Sequence, residues 1–309
     1  MPSSLRSSVP QISSLANGEW DDVAQAVQRP NLLRILFVLF ISVLAVQLVI
    51  FLVSNPRFEW PVVARYFFDP SVLKGLGTTL FLTLVAMVIG MMLGTVMAVA
   101  LLSDFRPVRS IAQLYLWAFR GTPLLIQLIF WYNLAYLTPT LSIGLPFMPA
   151  FIERATNEVI TPLAAAILGL GLAEGAYMTE IVRAGISSVD ARQRDAARAL
   201  GMPPLRAFFR IIFPQAMRFI IPPTGNQVIG MAKATALVSV IAMNDLLHSV
   251  QMIYNRTYEI VPLLIVASLW YLVVITLMYF VQARLERRFG KGQSRDSVQD
   301  TETAAVQSM

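Results

Sequence analysis

Six almost uncharged segments constrain the fold of this chain more than any other feature. Each segment holds at most two charged residues: 35–53, 75–103, 111–137, 162–182, 219–243 and 260–283. A helix needs about 20 mostly apolar residues to cross about 30 Å of hydrocarbon. No alternating strand pattern is visible, so helices are the structures that can satisfy the backbone within lipid. The sequence therefore predicts an all-α integral membrane protein with about six transmembrane helices.

The composition excludes several other classes of protein. Hydrophobic residues make up 56% of the chain and charged residues 14%, whereas soluble proteins carry about 25% charged residues. The chain has no Cys and one His, His248, which excludes disulfides, thiolate metal sites and cysteine nucleophiles and leaves little for a His-based site. The net charge of +6 does not indicate nucleic-acid binding, because the basic residues flank the apolar segments.

The distribution of basic residues predicts the orientation in the membrane. With the N-terminus in the cytoplasm, the inner segments carry 17 of the 24 basic residues and the outer segments carry five. Basic residues concentrate on the cytoplasmic side of membrane proteins, so both termini are predicted to be cytoplasmic, with polar tails at 1–34 and 285–309. The helix at 35–53 follows a long leader and lacks a small-residue cleavage site, so it is expected to remain uncleaved. Residues 54–74 are expected outside.

The longest inner loop, residues 187–218, has an unusual pattern of small and helix-ending residues. Asp195-Ala196-Ala197 leads into Gly201, a natural residue after the last turn of a helix. Pro203 and Pro204 follow, and proline suits the first turn of a new helix. The sequence predicts two short helices that meet at Gly201. Composition alone would favour an ordered loop with a solvated basic face.

The spacing within this loop resembles the EAA loop of ABC importer permeases, the family with the MetI-like transmembrane fold. That pattern is Glu-Ala-Ala, three residues, Gly, nine residues, Ile, one residue and Leu-Pro. Here Asp195-Ala196-Ala197 precedes Gly201, and Ile211 and Pro214 follow at the family spacing. Asp replaces Glu, and Phe replaces Leu before Pro214; both changes keep the chemical type. These six residues are therefore the expected ATPase-coupling site.

Further segments resemble the polar amino acid branch of the same family. They are residues 77–80, 119–127, 176–186, 214–216 and 226–237. The resemblance implies a permease domain over 75–284, with 35–53 as an extra helix before a five-helix core. Two departures stand out: Arg192-Gln193 replaces Gly-Gln, and Ala234 and Ala236 replace the Asp and Ser of Lys-Asp-Thr-Ser-Leu.

The resemblance implies a subunit of an importer for a polar amino acid, cationic ones among them, in the bacterial inner membrane. No P-loop motif is present in the chain, so ATP and Mg would be bound by a separate ATPase and this chain would hold no cofactor. The expected partners are an ATPase dimer, a second permease copy or a homologous permease, a periplasmic or extracellular amino-acid-binding protein, and membrane lipid.

Two ionisable residues are predicted near mid-membrane, Glu174 and Lys233. Such residues are costly in lipid and indicate function or pairing. Glu174 could pair with Lys233, or it could face the substrate beside Tyr177. By contrast, an i,i+3 ion pair with Arg183 would explain the presence of Glu180 in this span, and Glu180 would then need no role in transport.

The remaining candidates for the substrate path lie in the matched segments. They are Arg120, Asn226 and Thr235. Arg120 could anchor a helix at the inner interface, or it could form a gate or subunit contact. Gly90 and Gly94 form a G-x-x-x-G pair that predicts close helix packing, either within one subunit or between subunits.

Two other classes of membrane protein compete with this interpretation, and the residues support each of them less well. A secondary transporter would need its own coupling-ion site, usually with inverted repeats and broken helices; Pro222-Pro223 could break a helix, but no repeat is apparent. A membrane enzyme would need a clustered catalytic set, which one His, no Cys and isolated acids do not provide.

Overall fold

The structure, a computed structural model, describes residues 32–143 and 151–289. The chain divides into two compact units, Met1–Phe58 and Glu59–Met309. In the first unit, α1 (Leu32–Ser54) has a mean hydropathy of 3.1 and contains the predicted segment 35–53. Its side chains are all exposed, as suits a helix that faces lipid. Most of the two predicted polar tails lies outside the described residues.

Two helices open the second unit, α2 (Trp60–Phe67) and α3 (Pro70–Leu101). The carboxylate of Asp69 accepts a hydrogen bond from the backbone N–H of Ser71 at 2.8 Å, which caps α3, and Pro70 occupies its first turn. The 32 residues of α3 give it a length of about 48 Å. It contains most of the predicted span 75–103 and is long enough to cross a membrane.

The prediction of one continuous helix over 111–137 is wrong. The structure has α4 (Arg106–Gly121) and α5 (Leu124–Tyr132), which are bent by 100° relative to each other. Thr122 is extended, with φ −112° and ψ 140°, because a residue before proline is driven out of the helical region. Pro123 then precedes the first residue of α5. The chain therefore turns sharply at Thr122-Pro123.

A short hairpin corrects the expectation that the chain has no strands. After α6 (Leu134–Leu137), β1 (Thr140–Ile143) pairs antiparallel with β2 (Ile152–Ala155). The side chain of Thr156 donates to the carbonyl of Thr138, which ties the two ends of the hairpin together. Strands of four residues are too short to give a visible alternating pattern.

The core of the second unit is α8 (Pro162–Ser187), which follows the short α7 (Thr156–Val159). In the most apolar stretch of 18 residues of α8, two thirds of the residues are buried and the mean hydropathy is only 1.3. Gly90 and Gly94 of α3 lie against Glu174 and Met178 of α8, respectively. The two helices therefore run parallel, and the G-x-x-x-G pair packs within one subunit.

The predicted corner in the loop 187–218 is present. It consists of α9 (Ala191–Ala199), α10 (Pro204–Ala207) and a π-helical turn at Phe208–Ile212. Gly201 lies between α9 and α10 with a φ of +66°, so the prediction of two short helices that meet at this glycine is confirmed.

The prediction of a helix over 219–243 has the wrong bounds. α11 (Phe213–Ala234) begins earlier and continues as a 3₁₀ helix at Thr235–Ile241. Pro222 and Pro223 lie inside α11 and do not break it, contrary to the alternative considered from the sequence.

Two further helices complete the unit, α12 (Leu246–Thr257) and α13 (Ile260–Phe289). Residues 204–241 and α12 are bent by 45°. The carboxylate of Asp245 accepts from the backbone N–H groups of Leu247 and His248 at 3.2 and 2.9 Å, which begins α12 at the bend.

The described residues contain four helices long and apolar enough to cross a membrane, or up to six if each bent pair forms one span. The four are α1, α3, α8 and α13. The chain is thus a mostly helical membrane protein, and the upper count equals the six predicted spans.

Candidate functional site

A polar cavity of about 220 Å³ lies between the α4–α5 bend, α8 and α11. Five of its lining residues have polar side chains: Thr122, Gln127, Glu174, Tyr177 and Gln227. The rest of the lining is apolar or glycine, so these groups determine which ligand chemistry the cavity can accept.

Glu174 is the most deeply buried polar residue of this cavity, with 3% of its surface exposed. The side chain of Gln227 lines the same cavity, and Oε1 of Glu174 has no hydrogen-bond partner within the described part of the chain. Gly90 allows this burial, because a Cβ there would lie 2.5 Å from Cγ of Glu174. A buried acceptor without a partner is costly, so the site is suited to a ligand that donates hydrogen bonds.

Gln127 holds the α4–α5 bend and adds a second acceptor. Its Nε2 donates to the carbonyls of Phe119 and Thr122 at 3.0 and 3.1 Å and to Oγ1 of Thr122 at 2.8 Å. These bonds satisfy carbonyl groups that the bend leaves without helical partners. Its Oε1 is buried and has no hydrogen-bond partner among residues 32–143 and 151–289.

Arg120 lies beside the cavity and joins α4 to α8. Its guanidinium is 5.7 Å from the ring centre of Tyr177, and its Nη1 is 3.8 Å from Oε1 of Glu180. Nη2 of Arg183 is 2.7 Å from Oε2 of Glu180, so the predicted i,i+3 pair is confirmed. These side chains are partly exposed, and such ion pairs contribute little stability, about 0–1 kcal/mol.

The structure brings together only part of the predicted path. Glu174 and Tyr177 line the cavity, and Arg120 borders it. Lys233 is exposed and belongs to none of the ion pairs found in the described ranges, so the proposed Glu174–Lys233 pair is absent there. Asn226 accepts a hydrogen bond from Nε2 of Gln282 on α13 at 2.9 Å.

Thr235 also lies away from the cavity. It is fully buried, and its Oγ1 donates to the carbonyl of Ala232 at 2.8 Å. Helical geometry explains these misses, because the cavity-lining residues of α11 follow an i, i+3, i+4, i+7 pattern from Gln227. Asn226 and Lys233 fall on other faces of that helix.

Sequence reasoning missed Gln127 and Gln227. The available signal was an amide side chain inside an apolar span, which needs a partner in lipid. The prediction relied on the depth of charged residues instead.

The coupling corner is held by a Schellman motif at the end of α9. The N–H of Met202 bonds to the carbonyl of Ala197 at 3.0 Å, and the N–H of Gly201 bonds to that of Arg198 at 2.9 Å. Asp190 caps the start of α9, and hydrogen bonds from Arg192 hold the pKa of Asp190 below its usual range.

The predicted coupling residues differ in exposure. Asp195, Ala196, Gly201 and Pro214 are exposed, Ile211 is half-buried and Ala197 is buried. Next to them, Leu200, Leu205 and Phe209 expose 79, 72 and 59% of their surface, respectively.

An open concavity lies on this surface. It is lined by Pro203, Leu205, Arg206, Phe209 and Arg210. The corner thus presents apolar and basic side chains without a covering element among the described residues.

Comparison with known proteins identifies the family. Residues 90–291 match the binding-protein-dependent transport system inner membrane component family. The arginine transport system permease protein ArgU of Corynebacterium glutamicum is 40% identical over 78% of this chain and 75% of its own length. The L-cystine transport system permease protein TcyB of Bacillus subtilis is 34% identical over 75% of this chain and 92% of its own length.

Solved structures agree with this assignment. A crystal structure of an amino acid ABC transporter with histidines has 33% sequence identity and a TM-score of 0.61, over 73% of this chain and 97% of that chain. The inward-facing MetNI methionine ABC transporter, at 15% identity and a TM-score of 0.56 over 71% of this chain and 96% of that chain, shares the fold.

The chain therefore belongs to the binding-protein-dependent transport system inner membrane component family. It is the permease of an ABC amino acid importer, a multi-pass inner-membrane protein and not an enzyme, rather than a secondary transporter. Such a system includes an ATPase and a binding protein, and the permease itself is not expected to bind ATP.

Proposed function

We propose that the cavity at Glu174 lies on the substrate path and that the substrate is a polar amino acid with a cationic side chain. The unpartnered, buried Oε1 of Glu174 carries this proposal. Guanidinium and ammonium groups have only donors, and Oε1 of Gln127 offers them a second acceptor. The ring of Tyr177 can also attract a cation.

The relatives support this class of substrate without deciding it. ArgU and the Bacillus subtilis protein ArtQ, which is 35% identical over 71% of this chain and 92% of its own length, are named as arginine transport permeases. TcyB is named for L-cystine. Because the family includes different substrates, the acidic cavity is the stronger support for a cationic one.

The loop 187–218 is proposed to transmit ATP-driven motion from the ATPase. The apolar side chains of Leu200, Leu205 and Phe209 would enter a cleft on the ATPase, and Arg206 and Arg210 would favour an acidic rim. ATP and Mg would be held by the ATPase dimer. Closure of the ATPase dimer would shift the equilibrium between two arrangements of the helices, so that the cavity would open to one side of the membrane and then to the other.

The membrane topology is also a proposal. Both bent pairs would cross the membrane, which gives six spans with both termini in the cytoplasm. Residues 35–53 would be an extra span, 54–74 would lie outside, and 75–284 would form the five-helix core, with polar tails at 1–34 and 285–309. A second copy of the permease, or a homologue, would complete the path.

The test is Glu174→Gln in the complex reconstituted with its ATPase and binding protein. A hydrogen bond to a charged group is worth about 1.5–3 kcal/mol, so arginine transport should fall roughly tenfold or more. Glutamine transport should fall less, and protein yield and melting temperature should stay near those of the wild type.

Protein stability separates a structural role of Glu174 from a role on the substrate path. If Glu174→Gln lowers yield and melting temperature as steeply as transport, the side chain is structural and the proposal is wrong. Equal losses for arginine and glutamine would show that the side chain does not select cations.

A further inference from the structure

A second polar cavity, of about 310 Å³, lies between the start of α3 and α12. Two basic residues line it, Lys74 from α3 and Arg256 from α12. Its other polar lining groups are Ser71, Thr78, Asn244 and Ser249. No acidic residue lines it, so its chemistry is the opposite of that at Glu174.

This cavity lies at the end of the helix bundle opposite the coupling corner. Gly90 and Gly94 of α3 meet Glu174 and Met178 of α8 in the same order, so α3 and α8 run in the same direction. The C-terminal end of α8 leads into the loop 187–218. Lys74, near the N-terminal end of α3, is therefore at the far end.

The walls of the cavity are held by close contacts between the two helices. A Cβ on Gly75 would lie 2.4 Å from Oγ of Ser249 and 2.6 Å from the carbonyl oxygen of Asp245. Oγ1 of Thr79 accepts a hydrogen bond from the backbone N–H of Leu246 at 3.1 Å. The spacing of the helices that carry Lys74 and Arg256 is thus fixed by packing.

The two basic side chains have no acidic partner within residues 32–143 and 151–289. Nε of Arg256 donates to the carbonyl of Met252 at 3.2 Å, and its two terminal nitrogens form no hydrogen bond within the described residues. Three acids lie close in sequence to the lining residues. Asp69 and Asp245 cap helices, since they accept from the N–H groups of Ser71 and of Leu247 and His248, respectively. The third, Glu259, is half-buried and belongs to none of the ion pairs among the described residues.

We propose that this cavity receives an acidic side chain of the amino-acid-binding protein when that protein docks. The proposal rests on the proposed function, in which the ATPase binds the coupling corner and the binding protein must deliver its substrate at the other end. A carboxylate can accept from an ammonium, a guanidinium and neighbouring hydroxyls together. The pair would add to docking specificity and to the rate of association.

The first test measures how the binding protein stimulates the ATPase activity of the complex in nanodiscs of phosphatidylcholine. In the double variant Lys74→Gln/Arg256→Gln, the half-saturating concentration of purified binding protein should rise about tenfold or more, and the melting temperature should not change. Arg284→Gln/Arg288→Gln removes the same charge at the other end and is the matched control. An unchanged half-saturating concentration in the first variant would overturn the proposal.

The second test identifies the partner group directly. A zero-length carbodiimide joins a lysine amine to a carboxylate in contact with it, and mass spectrometry should find Lys74 linked to an Asp or Glu of the binding protein. Replacing that acid of the binding protein by Lys should weaken docking to the wild-type permease. Docking should be restored when this binding-protein variant is combined with the permease variant Lys74→Glu. Absence of the Lys74 link, or failure of this exchange, would contradict the proposal.

Two other outcomes are distinguishable. A lipid headgroup in the cavity would contradict the proposal. In that case native mass spectrometry would find phosphatidylglycerol on the wild type and not on Lys74→Gln/Arg256→Gln, and the binding protein would stimulate the two complexes equally. If the binding protein does not stimulate the wild-type complex at all, the proposed function fails, whereas a normal wild-type response with no effect of the variant removes only this inference.

Discussion

At the scale of single residues, the glycines of α3 determine how closely α8 can approach. A Cβ on Gly94 would lie 2.5 Å from Cβ of Met178 and 2.9 Å from two backbone atoms of α8. Backbone atoms cannot move aside as a side chain can, so the two helices would have to separate. Because Glu174 lies one turn away on the same contact, this spacing also sets the position of the cavity.

Gly94→Ala should therefore destabilise the permease, by about 1–3 kcal/mol, as overpacking does in other cores. Gly77→Ala is the matched control on the same helix, since a Cβ there meets nothing within 4 Å. The melting temperatures of the two purified variants give the comparison. Equal melting temperatures would show that the α3–α8 contact is looser than the structure indicates.

Residue identity and depth were sufficient to select Glu174 as a candidate, because an ionisable group near mid-membrane requires an explanation, and the structure places it in the wall of the cavity. The same reasoning failed for Lys233, because depth does not reveal which face of α11 a residue occupies. Knowing the face requires the partner helices, and these follow from packing over long sequence distances, as between Gly90 and Glu174.

At the scale of elements, the turn from α9 to α10 depends on the backbone of Gly201. Its φ of +66° is a left-handed conformation, and a Cβ there would meet nothing within 4 Å. The constraint therefore comes from the local backbone conformation and not from contacts with other residues, and it is strongest for β-branched residues.

Gly201→Val should uncouple ATP hydrolysis from transport while expression stays normal, because the left-handed conformation costs a non-glycine residue about 1–2 kcal/mol. Asn adopts this conformation more readily, so Gly201→Asn should retain much more transport than the valine variant. Transport and ATPase rates in proteoliposomes give the coupling ratio. Normal coupling in Gly201→Val would exclude this corner from the mechanism.

Prolines show how far local sequence predicts an element. Pro123 ends a helix, whereas Pro222 and Pro223 lie within one. Inside α11, Pro222 and Pro223 cannot donate to the carbonyls of Arg218 and Phe219, one turn earlier, yet the helix continues to Ala234. At the α4–α5 bend, the carbonyls of Phe119 and Thr122 accept from the amide of Gln127. A proline alone therefore does not reveal whether a helix ends.

At the scale of the whole molecule, the charge bias and the fold both support the proposed membrane topology. The basic coupling corner and the basic end of α13 would face the cytoplasm, and the hairpin would face outwards. The proposed six spans would place both termini on the same side, which requires that α1 also crosses the membrane. The apolar pattern predicted six spans, which equals the upper count of four to six candidate spans in the described residues. The 100° bend and the hairpin depend on local backbone geometry that hydropathy does not encode.

Because the chain contains no cysteine, single introduced cysteines can test this arrangement. Ser54→Cys, at the end of α1, and Glu153→Cys, in β2, should react with a membrane-impermeant maleimide in right-side-out vesicles. Arg287→Cys, near the end of α13, should react only after permeabilisation, because basic segments are retained on the cytoplasmic side. The reverse pattern at Glu153 and Arg287 would invert the topology. Protection of Ser54 alone would show that α1 does not cross from the cytoplasm, and the core would then have five spans without it.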